Sequence, residues 1–307
     1  MMKKIGINDT ITIFGGSGFI GSYIVKELAK TGAKIKIVSR NPEENNQLKV
    51  CGSVGQIAFV KGDIKSFKDI EKNVEGSTFV VNLVGILFES SKQKFNKLHV
   101  EAAKNIALSC SNNGIRRLIH FSALGVNRNH TSKYASTKLE GEKAVLQTFP
   151  NSVIIRPSVV FGREDNFINM FAKLVAVFPV IPLIGGGRTR LQPVYVVDVA
   201  EAVGRCLVKD NICGKVFELG GSKVYTLREI YELVFKLIGK KKPLVSIPFI
   251  FAKVMAAILS LLPRPLLTCD QVELLKTDNV IVKTKNSFEE LGLTPTSMEA
   301  VLSEYIR

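Results

Sequence analysis

A tyrosine and a lysine stand four residues apart in the segment Tyr134-Ala135-Ser136-Thr137-Lys138. Residues with this spacing share one face of a helix, so the lysine ammonium is expected beside the tyrosine phenol. A neighbouring cation favours the phenolate and lowers the phenol pKa from its usual value of about 10. The pair therefore predicts a group that exchanges a proton near neutral pH. The alternative is a surface helix in which the two side chains have no joint role.

A glycine-rich turn, Gly15-Gly16-Ser17-Gly18-Phe19-Ile20-Gly21, directly follows an apolar run and precedes a helical segment. In such a turn the glycines allow the chain to bend, to approach a pyrophosphate and to pack a helix against the strand. The helix N-terminus adds free amides and a positive dipole. The sequence predicts a nicotinamide dinucleotide site here, and the alternative is a turn without a ligand. Its predicted contacts are Gly15, Ser17, Gly18, Phe19, Ile20 and Gly21.

The second apolar run ends at Ser39-Arg40, where NAD-selective proteins of this kind usually carry Asp or Glu for the ribose hydroxyls. A guanidinium at this place can pair with a 2′-phosphate, so Ser39 and Arg40 favour NADP(H) over NAD(H). The alternative for Arg40 is a solvated surface side chain. After the third run, Asp63 and Ile64 are predicted to hold the edge and face of the adenine.

Apolar β-rich runs alternate with helical segments through the first half of the chain. This alternation predicts an α/β protein with a doubly wound Rossmann-type parallel sheet in residues 1–163, to which segments near 190–210 return. Residues 164–307 are expected to form mainly a smaller C-terminal α/β lobe for a substrate or a partner, with a short strand at 216–219. The predicted sheet strands are 11–14, 34–38, 57–60, 78–84, 117–122 and 152–160.

Lysine and arginine outnumber aspartate and glutamate by 42 to 27, which gives a formal net charge of +15. This charge favours a phosphorylated ligand or an anionic membrane surface as partner. We do not expect nucleic-acid binding, because no interleaved basic and aromatic motif accompanies the charge. The five cysteines contain no Cys-x-x-Cys pair, and neither His120 nor His130 has a second donor at metal-ligand spacing. We therefore expect reduced intracellular thiols and no metal site.

The longest apolar stretch, residues 249–262, carries Lys253 and Ser260 on one narrow polar stripe. It is shorter than the roughly 20 residues that a membrane-spanning helix needs. Two interpretations remain open: an amphipathic helix at an anionic membrane surface, or a helix packed into the core of the smaller lobe. Basic residues flank the stretch on both sides, namely Lys240, Lys241, Lys242 and Arg264.

Four motifs in order resemble the extended short-chain dehydrogenase/reductase family over roughly the first 200 residues. They are the glycine turn, Asn82-Leu83-Val84-Gly85, Tyr134-Ala135-Ser136-Thr137-Lys138 and Arg156-Pro157-Ser158-Val159-Val160-Phe161-Gly162. The resemblance implies that Tyr134 exchanges a proton with a substrate oxygen during hydride transfer and that Lys138 also binds the ribose. It also implies cofactor contacts at Val84, Gly85 and Pro157.

Two positions depart from the pattern of the resembled family. The substrate-orienting Ser or Thr usually lies one or two residues beyond the first Ser of the fifth strand, where this chain has Ala123 and Leu124. Ser122 is the remaining candidate, although a one-residue shift in a strand turns a side chain to the other face. His99 stands where active relatives often carry an Asn that supports the lysine through water, and it is either that support or a core histidine.

Three further segments resemble the atypical branch that contains the Rossmann-fold accessory subunit of respiratory complex I. They are residues 161–167, 192–200 and 266–272. This resemblance implies an NADP(H)-binding protein with a structural or sensing role, respiratory complex subunits as partners, and a cytoplasmic location peripheral to the inner face of the respiratory membrane. The alternative is an active NADPH-dependent oxidoreductase or epimerase acting on a nucleotide-linked or isoprenoid-type substrate. The sequence leaves the oligomeric state open.

Overall fold

A computed structural model describes residues 4–128, 131–260, 262, 265–282 and 286–306, with side chains for all of these except 44–46. Strands and helices alternate along most of it. The strands are β1 (Thr10–Phe14), β2 (Lys34–Ser39), β3 (Ile57–Lys61), β4 (Phe79–Asn82), β5 (Arg117–Phe121), β6 (Ser152–Pro157), β7 (Val160–Phe161), β8 (Ile181–Ile184), β9 (Arg190–Leu191), β10 (Val194–Tyr195), β11 (Val216–Leu219), β12 (Tyr225–Thr226) and β13 (Leu244–Ile247). The helices are α1 (Phe19–Ala29), α2 (Phe67–Val74), α3 (Ala102–Asn112), α4 (Lys133–Thr148), α5 (Ile168–Val177), α6 (Val196–Val208), α7 (Leu227–Ile238), α8 (Phe249–Leu259), α9 (Cys269–Leu274) and α10 (Met298–Tyr305).

Seven parallel strands form the central sheet, in the order β11-β6-β5-β4-β1-β2-β3. The central strands β4, β5 and β6 are buried along their whole length, as expected for a sheet covered on both faces. The predicted doubly wound Rossmann-type sheet is confirmed. Because all seven strands run the same way, the loops after β1 to β6 meet at one edge.

Helices cover both faces of this sheet. On one face α1 and α6 pack against alternate strand residues such as Ile13, Phe79 and Ile155. On the other face α2, α3 and α4 pack against the intervening residues, including Val80 and Leu118. Strand alternation separates the two sets of side chains, so each strand contributes to both layers.

Two segments from the second half of the chain belong to the Rossmann half: helix α6 packs on the sheet, and strand β11 pairs with it. Helix α6 lies against α1 and buries Val199, Val203 and Leu207 in the same core. Strand β11, which the sequence analysis assigned to the smaller lobe, pairs with β6 as the seventh strand of the sheet. That assignment of 216–219 was wrong because a four-residue apolar run carries no information about which distant strand it will join.

A second core holds the remaining elements together. It contains buried side chains of α5, β8, α7 and α10, among them Phe171, Ile181, Ile230 and Leu302. The ring centroids of Phe171 and Tyr231 lie 4.4 Å apart between α5 and α7. Helices α8 and α9 lie on the surface of this lobe, and α9 contacts α4 of the Rossmann half.

Candidate functional site

The predicted glycine turn joins β1 to α1 at the carboxyl edge of the sheet. Gly15 has a φ of +81°, a left-handed conformation that favours glycine. A Cβ on Gly21 would overlap the Gly15 carbonyl oxygen and lie 2.6 Å from the Gly16 Cα, so α1 packs on the turn only because Gly21 has no side chain. Gly18 precedes α1, and among the described residues no side chain caps the helix and no acidic residue occupies its first turn. This geometry fits an anionic pyrophosphate, which free amides and the helix dipole would stabilise.

The ends of β2 and β3 lie beside this turn. Ser39 ends β2, and its hydroxyl accepts a hydrogen bond from the Asn41 amide at 3.2 Å. Arg40 is exposed, and no hydrogen bond or ion pair joins it to another described residue. Asp63 accepts the Lys65 amide at 3.0 Å, and Ile64 packs at the margin of the core under α2 and α3. The Arg40 side chain is therefore available to a ligand at this edge.

The loop after β4 lies between the glycine turn and helix α4 and contacts both. A Cβ on Gly15 would lie 3.4 Å from the Val84 Cγ2 atom, and a Cβ on Gly85 would lie 3.1 Å from the Lys138 Nζ atom. Pro157 ends β6 at the same edge, and its carbonyl accepts the Leu124 amide at 2.9 Å. The structure thus brings Gly15, Val84 and Lys138 together.

Lys138 is almost completely buried and is held by a single described hydrogen bond. Its ammonium donates to the Phe121 carbonyl at 2.8 Å, at the end of β5. Burial lowers the pKa of Lys138 to about 8, and the nearby carboxylate of Glu142 partly opposes this shift. Lys138 is therefore a cation whose charge is lost in the mildly alkaline range.

The pKa of Tyr134 does not follow the prediction made from the spacing. Burial raises it to about 12, and the carboxylate of Asp270 adds to the increase. The expected lowering of the Tyr134 pKa was wrong because burial penalises the phenolate, and the charge that acts on the phenol is the Asp270 carboxylate, not the Lys138 ammonium. The Tyr134 ring packs edge-on against Phe95 and His99, with ring centroids 5.9 and 5.5 Å away.

His99 is a buried and hydrogen-bonded histidine behind this pair. Its Nε2 atom accepts the Ile86 amide at 3.1 Å, so the proton of the neutral ring is on Nδ1, 3.1 Å from the Thr137 hydroxyl. Burial lowers the pKa of His99 to about 3, and the charge of Lys138 adds to this effect. Both ring nitrogens thus have protein partners. This agrees with a core histidine, and not with a histidine that supports Lys138 through water.

Ser122 lies directly after β5, and its amide donates to the Ile155 carbonyl at 2.8 Å. Its hydroxyl is buried and has no hydrogen-bond partner among the described residues. The hydroxyl therefore does not line an open cleft in this conformation. The Nε2 atom of the neighbouring buried His120 is also without a described partner, whereas its Nδ1 atom accepts from Asn82 at 3.1 Å.

A model of the NAD dependent epimerase/dehydratase family matches residues 11–220, which span the whole sheet and the edge just described. The chain belongs to this family. The match includes the glycine turn, the Tyr134 and Lys138 pair and β11. The resemblance to extended short-chain dehydrogenases and reductases is thereby confirmed.

Within this epimerase/dehydratase family, the chain is similar to subunits of respiratory complex I. It is 34% identical over 96% of its length, and over 76% of the relative, to the mitochondrial NADH dehydrogenase (ubiquinone) 1 alpha subcomplex subunit 9 of Arabidopsis thaliana. It is 32% identical over 97% of its length, and over 79% of the relative, to the mitochondrial NADH-ubiquinone oxidoreductase 40 kDa subunit of Neurospora crassa. The predicted resemblance to the accessory-subunit branch is confirmed by these relatives.

Solved structures of the epimerase/dehydratase type share the fold. The chain superimposes on gox2253 with a TM-score of 0.76 at 19% identity, covering 97% of both chains. It superimposes on the dTDP-glucose 4,6-dehydratase of Streptomyces venezuelae, solved with NAD and TYD bound, with a TM-score of 0.74 at 18% identity over 97% and 96% of the two chains. At these identities the likeness shows the fold alone.

Helix α8 lies on the surface of the smaller lobe of this epimerase/dehydratase-family chain. Only Ala252 and Ala256 are buried, whereas large apolar side chains point outward. The apolar face of α8 consists of residues exposed by 58 to 75%, namely Ile250, Phe251, Val254 and Ile258. This arrangement excludes the core interpretation of the stretch. Arg264, one of its predicted basic flanks, lies outside the described residues.

The described ranges contain neither a metal-binding cluster nor a membrane-spanning helix. No three His, Cys, Asp or Glu side chains there converge in a way that could hold a metal ion. None of the helices described reaches the length and apolarity needed to span a bilayer.

One residue at the site had no role in the sequence analysis. Asp270, from α9, accepts the amides of Lys133 and Tyr134 at 2.7 and 3.3 Å. In the sequence, Asp270 belongs to the segment 266–272 that carries the resemblance to the accessory-subunit branch. An acidic residue in the first turn of a short helix carries no sequence signal for a contact with a helix more than 130 residues earlier.

Proposed function

We propose that this chain binds NADP(H) at the glycine turn and serves a structural or sensing role beside respiratory complex I. The carrying observation is the convergence, at one sheet edge, of the uncapped start of α1, the exposed Arg40 and the buried Lys138. The similarity to complex I subunits over nearly the whole chain supports the choice of partner.

Each part of the edge has a distinct task in this proposal. Gly15, Ser17, Gly18, Phe19, Ile20 and Gly21 hold the pyrophosphate, while Ser39 and Arg40 hold the 2′-phosphate. Asp63 and Ile64 contact the adenine, and Val84, Gly85, Lys138 and Pro157 surround the ribose and nicotinamide. A nicotinamide dinucleotide supplies hydride transfer when bound, but in this role it serves as a bound structural group.

The first experiment identifies the nucleotide that purified protein carries. The protein is denatured, and the released nucleotides are separated and quantified by mass spectrometry. We expect NADP(H) in the wild type and none in Gly18→Val, because a branched side chain would occupy the place of the pyrophosphate. Recovery of NAD(H) alone would contradict the preference for NADP(H), and equal recovery from Gly18→Val would contradict the site.

An active reductase or epimerase on a nucleotide-linked or isoprenoid-type substrate is the second candidate. The observation in its favour is that Tyr134 and Lys138 lie on one face of α4 at the cofactor edge. The raised pKa of Tyr134 and the Ala123 and Leu124 side chains argue against efficient proton transfer. If a carbonyl substrate oxidises bound NADPH, Tyr134→Phe should remove nearly all turnover while NADPH affinity stays within a few fold.

The same proposal includes a peripheral position on the inner face of the respiratory membrane. The apolar face of α8 presents four large side chains to the outside, and Lys240 and Lys241 are exposed just before β13. Apolar residues beside basic ones are the composition of helices that lie in the headgroup region of anionic bilayers. The net charge of +15 adds long-range attraction to such a surface.

A further inference from the structure

The side chain of Asp270, which is distant in sequence, caps the first turn of α4. The Ser132 hydroxyl accepts the Ala135 amide at 3.1 Å and donates to an Asp270 carboxylate oxygen at 2.8 Å. Asp270 also accepts the amides of Lys133 and Tyr134. Together, Ser132 and Asp270 satisfy the first three amides of the helix, which otherwise lack partners inside it. Asp270 is thus a tertiary cap on the helix that carries Tyr134 and Lys138.

Helix α9 holds Asp270 in a defined position. Thr268 starts α9 with a capping box, in which its hydroxyl accepts the Gln271 amide while the Gln271 side chain accepts the Thr268 amide. Asp270 lies in the first turn after this cap. The position of the Asp270 backbone relative to α4 is therefore set by where α9 packs.

Helix α9 is in turn fastened to α8. Val272 is buried against Ala252 and Ala256, the two residues that turn the apolar face of α8 outward. The ammonium of Lys253 pairs with the carboxylate of Glu273. A continuous set of contacts therefore runs from the exposed apolar face of α8 through α9 to the first turn of α4.

The turn held by Asp270 is the part of α4 nearest the dinucleotide edge. Tyr134 receives the Asp270 contact on its own amide, and Lys138 follows one helical turn later. The Thr137 hydroxyl donates to the Lys133 carbonyl at 2.8 Å and lies 3.1 Å from His99 Nδ1. The same turn is therefore joined to the buried His99 ring. Fraying of this turn would displace Tyr134 and would break the contact between Thr137 and His99.

We infer that Asp270 is a positioning residue that couples the proposed dinucleotide site to the apolar face of α8. Dinucleotide contacts with Lys138 stabilise the capped first turn of α4, and this capped turn holds α9 and α8 in place. By thermodynamic reciprocity, a surface that binds α8 in this position tightens the binding of the dinucleotide. The inference rests on the proposed NADP(H) site for its ligand, but the tertiary cap can be tested without ligand.

Hydrogen exchange measured by mass spectrometry tests the coupling on the full chain, with NADPH as the probe. In the wild type we expect NADPH to slow exchange at the glycine turn and also in peptides covering 131–138 and 249–259. In Asp270→Ala, slowing should persist at the glycine turn and disappear from 249–259. Asp270→Asn keeps one acceptor oxygen and should retain part of the distant effect. Asp210→Ala, which removes an exposed acidic side chain elsewhere, should match the wild type.

The ligand-free protein provides a separate arm of this experiment. Without NADPH, Asp270→Ala should exchange faster than wild type at 131–138, by up to about fivefold, the factor that corresponds to loss of a cap worth about 1 kcal/mol. If ligand-free exchange in 131–138 and 249–259 is the same in the variant and the wild type, the tertiary cap is overturned.

Other outcomes separate this inference from the proposed function. If the wild type shows no NADPH effect at the glycine turn, the proposed function fails, and the ligand-free comparison still decides the cap. If NADPH protects the glycine turn but never reaches 249–259 in the wild type, the coupling is overturned and the dinucleotide site stands. Should Asp270→Ala not fold, as judged by circular dichroism, the comparison is made with Asp270→Asn, which must lose part of the distant protection for the inference to hold.

Discussion

The Lys138 ammonium donates to the Phe121 carbonyl at 2.8 Å, and this contact fixes a buried cation beside the glycine turn. Phe121 ends β5, and Lys138 lies in α4, so the hydrogen bond joins the sheet edge to the helix that covers it. Glu142, one turn further along α4, pairs with Arg156 of β6 at 2.7 Å. The Lys138 ammonium is thus held by one hydrogen bond to the sheet, and Glu142 acts on it only through its charge.

Binding of NADPH should depend on the charge of Lys138. Its pKa of about 8 means that the free protein loses this charge as the pH rises through 8, so affinity should fall between pH 7.5 and 9.5. The slope should be at most about tenfold per pH unit, the limit for release of one proton. Fluorescence titration of NADPH measures it. Lys138→Met should bind weakly with a flat profile, whereas Lys143→Met, an exposed lysine on α4, should keep the wild-type slope.

His99 should make the fold sensitive to acid. Its pKa is about 3 in the folded protein and 6.5 in the unfolded chain, so below pH 6.5 the unfolded state binds the proton first. The contribution of His99 to the free energy of unfolding should therefore decrease by about 1 to 2 kcal/mol from pH 6.5 to 5. Urea denaturation across this range measures the loss. His99→Asn should have a shallower pH dependence than the wild type, and equal slopes would show that His99 is not held neutral.

The apolar face of α8 should anchor the protein to anionic vesicles. Phe251→Ser with Ile258→Ser should abolish the binding that remains at high salt, because both side chains are mostly exposed and available for insertion. Lys240→Glu with Lys242→Glu should weaken binding at low salt by about tenfold or more. Co-sedimentation measures both effects. Val54→Ser, an exposed apolar residue of the Rossmann half, serves as the control and should bind like the wild type.

Wild-type protein that stays in the supernatant with anionic vesicles at low salt would contradict direct membrane contact. The exposed face of α8 would then belong to a protein partner. Equal binding to neutral and anionic vesicles at all salt concentrations would instead contradict the contribution of the basic residues to membrane binding.

Local patterns in the sequence were enough to predict six of the seven sheet strands and the edge at which they end. The glycine turn, the β-branched runs and helix α1 are each encoded within a few residues, and Gly32 adopts a left-handed conformation after α1. Parallel strands then bring their carboxyl ends together without further information. The expected cofactor contacts at Val84 and Lys138, in contrast, came from the resemblance to the extended short-chain dehydrogenase/reductase family.

Features set by distant packing were not predicted. The contact of Asp270 with α4 depends on where α9 docks, and the pKa of Tyr134 depends on how deeply α4 is buried. The orientation of α8 was also hidden, because Lys253 and Ser260 mark a polar stripe whereas the buried side is formed by Ala252 and Ala256. Small residues allow α8 to approach α9 closely and leave the larger apolar side chains outside.

The central claim is that Arg40 selects NADP(H) at the glycine turn. Calorimetric titration of NADPH and NADH into the nucleotide-free wild type and Arg40→Asp tests it most directly. We predict tighter binding of NADPH than of NADH to the wild type. Arg40→Asp should lose about ten- to a hundredfold in NADPH affinity, because a charge-assisted contact to the 2′-phosphate is removed, and should keep or improve its NADH affinity. Equal losses for the two nucleotides, or no binding of either to the wild type, would contradict the claim.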